Sequence, residues 1–380
     1  MNAAVSSRDL QDAAQSDRTI MQEVTAIADG PLAEAAHRID HEGHYPLDLM
    51  AALGRAGAFG AHLESGGRRV GLALDAMRAI SRRCGSTGFL TWCHDVCGLY
   101  LEQSGNPALT GAVLDAHVDG RTFGGTALSN PMKALAGIEK LLFRATRVPG
   151  GYRVSGALPW VSHIARGQYC GAMAGVYGDD GSLSHEILFL LRITDDVVLR
   201  PCPEFSGMEG TSTWGVRVDN LFVGEDALIA DPARPFIARI RAAFVLLQAG
   251  MALGIAQAGI DAMREVEPVL GHVNRFLEDR PDELQVEYDA LGERVSMLSA
   301  TPYDGSTDYL ITVLDARVQG AELALRAAQS ALMHQGARGY LASAAPQRLV
   351  REAQFVAIVT PAIKHLRWEM DRLSREEQPA

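Results

Sequence analysis

The sequence predicts an α+β chain in which a helical N-terminal segment, a middle antiparallel β segment and a C-terminal helical bundle follow one another. Three observations predict it. From about Thr19 to His117 apolar residues recur at helical spacing, between Arg121 and Ala230 they change to short alternating runs broken by turn residues, and from Ile237 the helical spacing returns. The expected units are therefore 1–120, 121–232 and 233–380.

In the first unit "TIMQEVTAIADGPLAEAAHRI", "YPLDLMAALGRAGAFG" and "GLALDAMRAISRRCG" each carry an apolar helical face, and Pro46 suits a first helical turn. In the second, "FRATRVPGGYRVSG" reads as two strands reversed at Pro149-Gly150-Gly151, and "WGVRVDNLFVG" continues the two-residue period. No helical pattern interleaves these strands, which predicts antiparallel pairing. In the third, Ile311, Leu314, Val318, Ala321, Leu325, Ala328 and Leu332 recur at steps of three and four, a seam that belongs inside a bundle. "HVNRFLEDRPDELQ" and "TPYDGSTD" read as loops at the bundle ends.

A chain of 380 residues with 47% hydrophobic content can bury a large core. Its net charge of −11 argues against nucleic acid or an anionic membrane surface as a general partner. The five cysteines are an odd number, and the first twenty residues are polar, which predicts reduced thiols in a cytoplasmic protein. "FVLLQAGMALGIAQAGI" is read as a core helix. His37 and His41 stand one turn apart with His44 beyond, a spacing that could hold zinc, but Arg38 occupies the place of a metalloprotease Glu. Surface histidines are the expectation, and no metal is expected.

Four stretches carry a resemblance: "GGTALSNP" at Gly124–Pro131, "GYRVSGALPWVSH" at Gly151–His163, "GMEGTSTWGVRVDNLFVGEDALI" from Gly207, and "GARGY" followed by "QRLVREAQ". In this order they resemble the acyl-CoA dehydrogenase superfamily, whose fold has the same helical, β, helical succession. The resemblance implies FAD. It implies that Leu128 and Ser129 meet the pyrimidine edge of the flavin, that Trp160 and Ser162 cover its ring, and that Arg275, Gly336 and Gly339 reach the adenosine diphosphate end of a cofactor bound by a neighbouring subunit. A homodimer or homotetramer follows. Where the family continues with a flexible glycine-rich loop this chain has "MKALAGIE", so Asn130 and Lys133 become the candidate substrate contacts.

In that family a Glu removes the α-proton of an acyl thioester while hydride passes to the flavin. Counting along "REAQFVAIVTPAIKHL" places the Glu at Thr360, and the minority position on the earlier helix falls near Phe244. A threonine hydroxyl is far too weak an acid to serve as the base near neutral pH. Two readings follow. Either His94, on a helix that in the family faces the substrate, or Glu209 takes the proton from an acyl-CoA or related carbonyl compound, with an electron-transfer partner downstream. Or the chain works as an oxygenase with reduced flavin and O2, supplied by a flavin reductase; that branch often carries His-Asp-Pro here, of which only Pro361 is kept. A non-catalytic flavin-binding scaffold is the third reading.

Overall fold

The computed structural model describes residues 7–178 and 180–376. The chain begins with α1 (Ser7–Ile27), a wide turn over Ala28–Leu32, and α2 (Ala33–His41). What reads in sequence as one amphipathic helix is bent at Gly30 (φ −100°, ψ −105°), followed by Pro31, whose missing N–H cannot continue the ladder. Next come α3 (Leu47–Arg55), α4 (Val70–Arg83), α5 (Gly85–Gln103), α6 (Pro107–Thr110) and α7 (Ala112–Val118). Pro46 sits at the N-cap of α3. Every residue of α5 from Gly85 to Leu101 is buried, because this helix runs through the centre of the molecule.

The middle unit holds β1 (Gly124–Thr126), α8 (Ser129–Leu135), β2 (Phe143–Val148), β3 (Gly151–Val161), β4 (Tyr169–Tyr177), β5 (Leu183–Arg192), β6 (Val198–Pro201), β7 (Trp214–Gly224) and β8 (Leu228–Ala230). The sheet order is β6-β7-β3-β2-β4-β5-β8, with β1 paired to β4. Most pairings are antiparallel, but the expectation of a wholly antiparallel sheet is corrected: β1 and β2 both pair with β4 in parallel. The cause is topological. β7 occupies the free edge of β3, so β4 docks beside β2 and shares its direction. The short helix α8 was also not legible, since only Asn130, Pro131 and Met132 turn inward.

Strand alternation divides the sheet between two cores. Cys170, Ala172, Ala174 and Val176 of β4 face the inside of the β unit with Val154, Phe189 and Val216, while Tyr169 and Met173 face the helices. β1 lies so close to α5 that a side chain at Gly124 would stand 2.6 Å from the Cys97 sulfur.

The bundle comprises α9 (Ala233–Asn274), α10 (Pro281–Ser299), α11 (Thr307–Gln335), α12 (Ala345–Ile358) and α13 (Ile363–Glu376). α9 is long and apolar enough to cross a membrane, and it is buried within the bundle. Gly259 packs on Ala327 and Gly320 on Ala252, so α9 and α11 lie side by side in one direction. Of the seam read on α11, Leu314, Val318, Ala321 and Ala328 are buried; Ile311, Leu325 and Leu332 are half-buried. The deepest row is Val313, Arg317, Gly320, Ala324, Ala327 and Ala331, which turns a charged residue into the core.

α12 is tied to the N-terminal unit by ionic contacts. Arg351 forks onto Asp40 of α2 at 2.7 and 2.5 Å, and Glu352 accepts from the Gly85 amide at 2.8 Å. The Asp40 side chain is 3% exposed, so removing Arg351 leaves a buried carboxylate with only His41, at 3.5 Å, beside it. Arg351→Met is expected to lower unfolding free energy by about 3 kcal/mol in urea titrations, against which a loss below ~1 kcal/mol would count.

Candidate functional site

The turn between α12 and α13 joins the middle unit to the bundle. Its residue Thr360, followed by Pro361 across a cis peptide bond, is anchored twice. The Thr360 and Ser129 hydroxyls are 2.8 Å apart, which joins the turn to the start of α8; the Gln248 amide of α9 donates to the Thr360 carbonyl at 2.9 Å. Behind Gln248, Arg317 of α11 donates from Nε to Gln248 Oε1 at 2.8 Å and from Nη2 to the Val356 carbonyl at 2.6 Å. Burial depresses the Arg317 guanidinium to about 10, which leaves it charged at neutral pH.

The end of β3 holds two further candidates. Trp160 is the next-to-last residue of β3, and Ser162 follows directly after the strand's end at Val161. Trp160 is 59% exposed, with Phe205 edge-on at 6.1 Å, so an indole face is free for a flat ligand. The Ser162 hydroxyl meets Thr213 at 2.7 Å, Thr213 meets Thr211 at 2.9 Å, and Thr211 donates to the Met208 carbonyl at 2.7 Å. This row of hydroxyls can turn donors or acceptors toward a heteroatom-rich ring edge. Leu128 is different in kind: its side chain is buried, so only its backbone can face a ligand.

Between α5, α9 and α12 the space is filled by aromatic rings. Phe89 stacks on Trp92 at 5.7 Å and meets Phe355 edge-on at 4.7 Å, and Trp92 meets Phe244 at 5.1 Å while its indole N–H donates to the Phe244 carbonyl at 3.3 Å. Phe244 and Gln248 are one helical turn apart on α9, so both positions at which the resemblance expects a Glu converge here. Neither holds a carboxylate.

The remaining sequence candidates lie apart from the turn. His94 is fully buried in a cluster with His62, His117 and His163. Its ring stacks on His117 at 3.6 Å, its Nε2 is 2.9 Å from the His117 carbonyl, and its Nδ1 accepts from the Gly124 amide at 3.4 Å. Burial first, then the neighbouring His117 and His163, pushes His94 well below the usual histidine range. Glu209 accepts from the Phe205 amide at 2.7 Å and packs beside Gly43. Asn130 spends its amide on the Glu139 carboxylate, the Lys140 carbonyl and the Leu142 amide, and Lys133 pairs with Glu139 at 2.5 Å.

Arg275 and Gly336 are brought to one end of the bundle, where Asn274 Nδ2 donates to the His334 carbonyl at 3.2 Å. Arg275 lies over the exposed Phe276 ring at 4.9 Å, and Gly336 has a φ of +59° with open space where a side chain would stand. Gly339 is helical and packs on Gln335. An open cleft of about 580 Å³ lies alongside, lined among others by Phe276, Leu325, Met333 and His334.

Sequence reasoning missed Gln248, Arg317, Thr213 and Trp92. The signal for Arg317 was present as a charge on an alanine-rich helical row; Gln248 stands alike between Leu247 and Ala249.

The chain is similar to known proteins of two kinds, dehydrogenases and hydroxylases. Residues 14–121 match the acyl-CoA dehydrogenase N-terminal domain. A probable acyl-CoA dehydrogenase of Bacillus subtilis is 22% identical over 89% of this chain and 92% of its own length. A pigment production hydroxylase of a Rhodococcus species is 29% identical over 43% of this chain and 38% of its own. Among solved structures, XiaF from a Streptomyces species, in complex with FADH2 and glycerol, superposes with a TM-score of 0.80 at 18% identity, covering 98% of this chain and 99% of that one.

The histidine cluster makes stability depend on pH. Burial lowers His62 from 6.5 to about 4 and His117 and His163 to about 3, so between those values and 6.5 only the unfolded chain takes up their protons. Stability is held above pH 6.5 and falls as pH drops below it; the raised carboxyls of Asp75, Asp95 and Glu352 pull the other way but are fewer than the four buried histidines. Urea midpoints should fall from pH 7.5 to 5, and His163→Leu should flatten the slope by about 1.4 kcal/mol per pH unit. A profile unchanged by that substitution would contradict the assignment.

Proposed function

We propose that this chain, which has the acyl-CoA dehydrogenase fold, is a flavin-dependent monooxygenase that uses FAD reduced by a separate flavin reductase. One observation carries the reading. At the two converging positions where a dehydrogenase of this fold would hold its Glu, Thr360 has its hydroxyl on Ser129 and its carbonyl on Gln248, and Phe244 is buried against Trp92. No proton acceptor of useful strength is offered at either. His94, fully buried with both ring nitrogens engaged, and Glu209, holding its own loop, do not replace it.

The residues suit a flavin. Trp160 offers an exposed aromatic face, the Ser162–Thr213 pair and the Ser129–Thr360 pair offer hydroxyls at either side of the seam, and the backbone at Leu128 continues the polar edge. A bound reduced flavin would supply the two electrons with which one atom of O2 enters the substrate and the other leaves as water. The wall of Phe89, Trp92, Phe244 and Phe355 keeps water from that place and favours an apolar, ring-bearing substrate over a strongly hydrated one. The likeness to the Rhodococcus hydroxylase and to the FADH2-bound Streptomyces structure supports this chemistry.

A homodimer or homotetramer is part of the proposal. Val269, Val273, Phe276, Met333, Tyr340 and Leu341 leave an exposed apolar surface around Arg275 and Gly336, where a neighbouring subunit's cofactor end would be covered. Acyl-CoA dehydrogenation is the second reading, favoured by the Bacillus relative, whose likeness spans nearly the whole chain.

The purified yellow protein should keep its colour when mixed with acyl-CoA thioesters under nitrogen, bleach with a flavin reductase and reduced nicotinamide, and then consume oxygen. Bleaching by an acyl-CoA would overturn the oxygenase reading, and no response to either reductant would favour a scaffold. Trp160→Ala should weaken FAD binding about tenfold in fluorescence titrations, since ring contacts of this kind contribute on the order of 1 kcal/mol; unchanged affinity would remove Trp160 from the site.

A further inference from the structure

Trp160 owes its exposure to a bulge. Leu158 pairs with Val216 and Val161 with Trp214, so three steps along β3 answer two along β7, and the extra residue turns the indole outward while Leu158 and Val161 stay buried. An indole left without neighbours would move among its rotamers. Phe205 is the side chain that meets it, with ring centroids 6.1 Å apart and ring planes at 82°.

The segment 202–208 that carries Phe205 has no regular structure, yet it is held at successive residues. The Glu209 carboxylate accepts from the Phe205 amide at 2.7 Å, the Ser206 carbonyl accepts from Arg351 of α12 at 3.3 Å, and the Met208 sulfur accepts from Ser86 of α5 at 3.6 Å. A side chain at Gly207 would stand 3.1 Å from Arg351 Cβ, so the loop lies directly on α12. Met208 takes a left-handed backbone with φ +67°, a conformation that persists only where the surroundings over-determine it. A loop fixed in this way presents Phe205 in one place.

We propose that Phe205 is a positioning residue of the flavin site that acts through Trp160, holding the indole in the rotamer whose free face receives the ring. This rests on the proposed placement of the flavin against Trp160. A ring already fixed loses less freedom on binding than a mobile one, so the gain in affinity needs no contact between Phe205 and the cofactor. Glu209 serves the site without touching a substrate, by tethering the Phe205 amide. The arrangement also links two borders of the site. Arg351 lies midway along α12 and grips the Phe205 loop, while Thr360 follows the end of the same helix and grips Ser129.

A double-mutant cycle on FAD affinity, read by flavin fluorescence in the full chain, tests this. Phe205→Leu should weaken FAD binding about fivefold and shift the absorption bands of the bound flavin, and Phe205→Tyr should restore both. In a Trp160→Ala protein Phe205→Leu should cost nothing further, because its effect passes through the indole. A residue that only supports the fold would cost as much in either background. In the flavin-free protein the Trp160 indole N–H resonance, assigned by its loss in Trp160→Ala, should move in Phe205→Leu. Equal loss in both backgrounds, an FAD affinity unchanged by Phe205→Leu, or an unmoved Trp160 resonance would overturn the proposal. Should Phe205→Leu not fold, Glu209→Ala, which frees the Phe205 amide, takes its place in the cycle with the same expected pattern. If Trp160→Ala leaves FAD affinity unchanged, the flavin placement falls and takes the proposal with it; a weakened Trp160→Ala beside an unaffected Phe205→Leu sinks the proposal alone.

Discussion

Two hydrogen bonds at one threonine hold the working parts of this chain in register. Through its hydroxyl Thr360 reaches Ser129 at the head of α8, and through its carbonyl it reaches Gln248 in the bundle. One face of the sheet packs into the helical core through Tyr169, Met173, Leu188 and Leu190, and beside that shared core this turn ties the head of α8 to α9. Arg317 stiffens the arrangement from behind, since one guanidinium holds both Gln248 and the end of α12. Neutral groups make the span at a point where a carboxylate would give the fold its better-known chemistry.

The broad architecture was legible because periodicity reports which faces are buried. α4, α11 and the β2–β3 hairpin follow their patterns, with the turn at 149–150 between Val148 and Gly151 as the sequence suggested. Direction within the sheet was not legible. β1 and β2 become parallel neighbours of β4 through a topology that no local pattern encodes, and β4 is buried on both faces, which removes the alternation that would have marked it. α8 was hidden for another reason: seven residues are too few to display a period.

Of the site, motif likeness singled out residues that the fold brings near one another in one case: Ser129 and Thr360, 231 residues apart, stand with their hydroxyls 2.8 Å apart. Other long-range partners were not legible. Gln248 and Arg317 look in sequence like polar interruptions of apolar helices, and their purpose appears only when α9, α11 and α12 are brought together. His94 stood out through its place on a helix that faces the substrate in the family it resembles; its companions His62, His117 and His163 come from three other segments, and no spacing rule links them. The buried cluster joins the N-terminal helices to the sheet, with His94 reaching the Gly124 amide of β1 and His117 the Tyr169 hydroxyl of β4.

On the proposed reading, a flat, electron-carrying ring in the seam between sheet and bundle would unite the end of β3 with the threonine turn. The most direct measurement is a crystal structure of the protein saturated with FAD. It should show the isoalloxazine against Trp160 and Ser162 on one side, with the Thr360 turn and Ser129 at its other border. A flavin found elsewhere, or a seam that stays closed by side chains in the presence of saturating FAD, would contradict it.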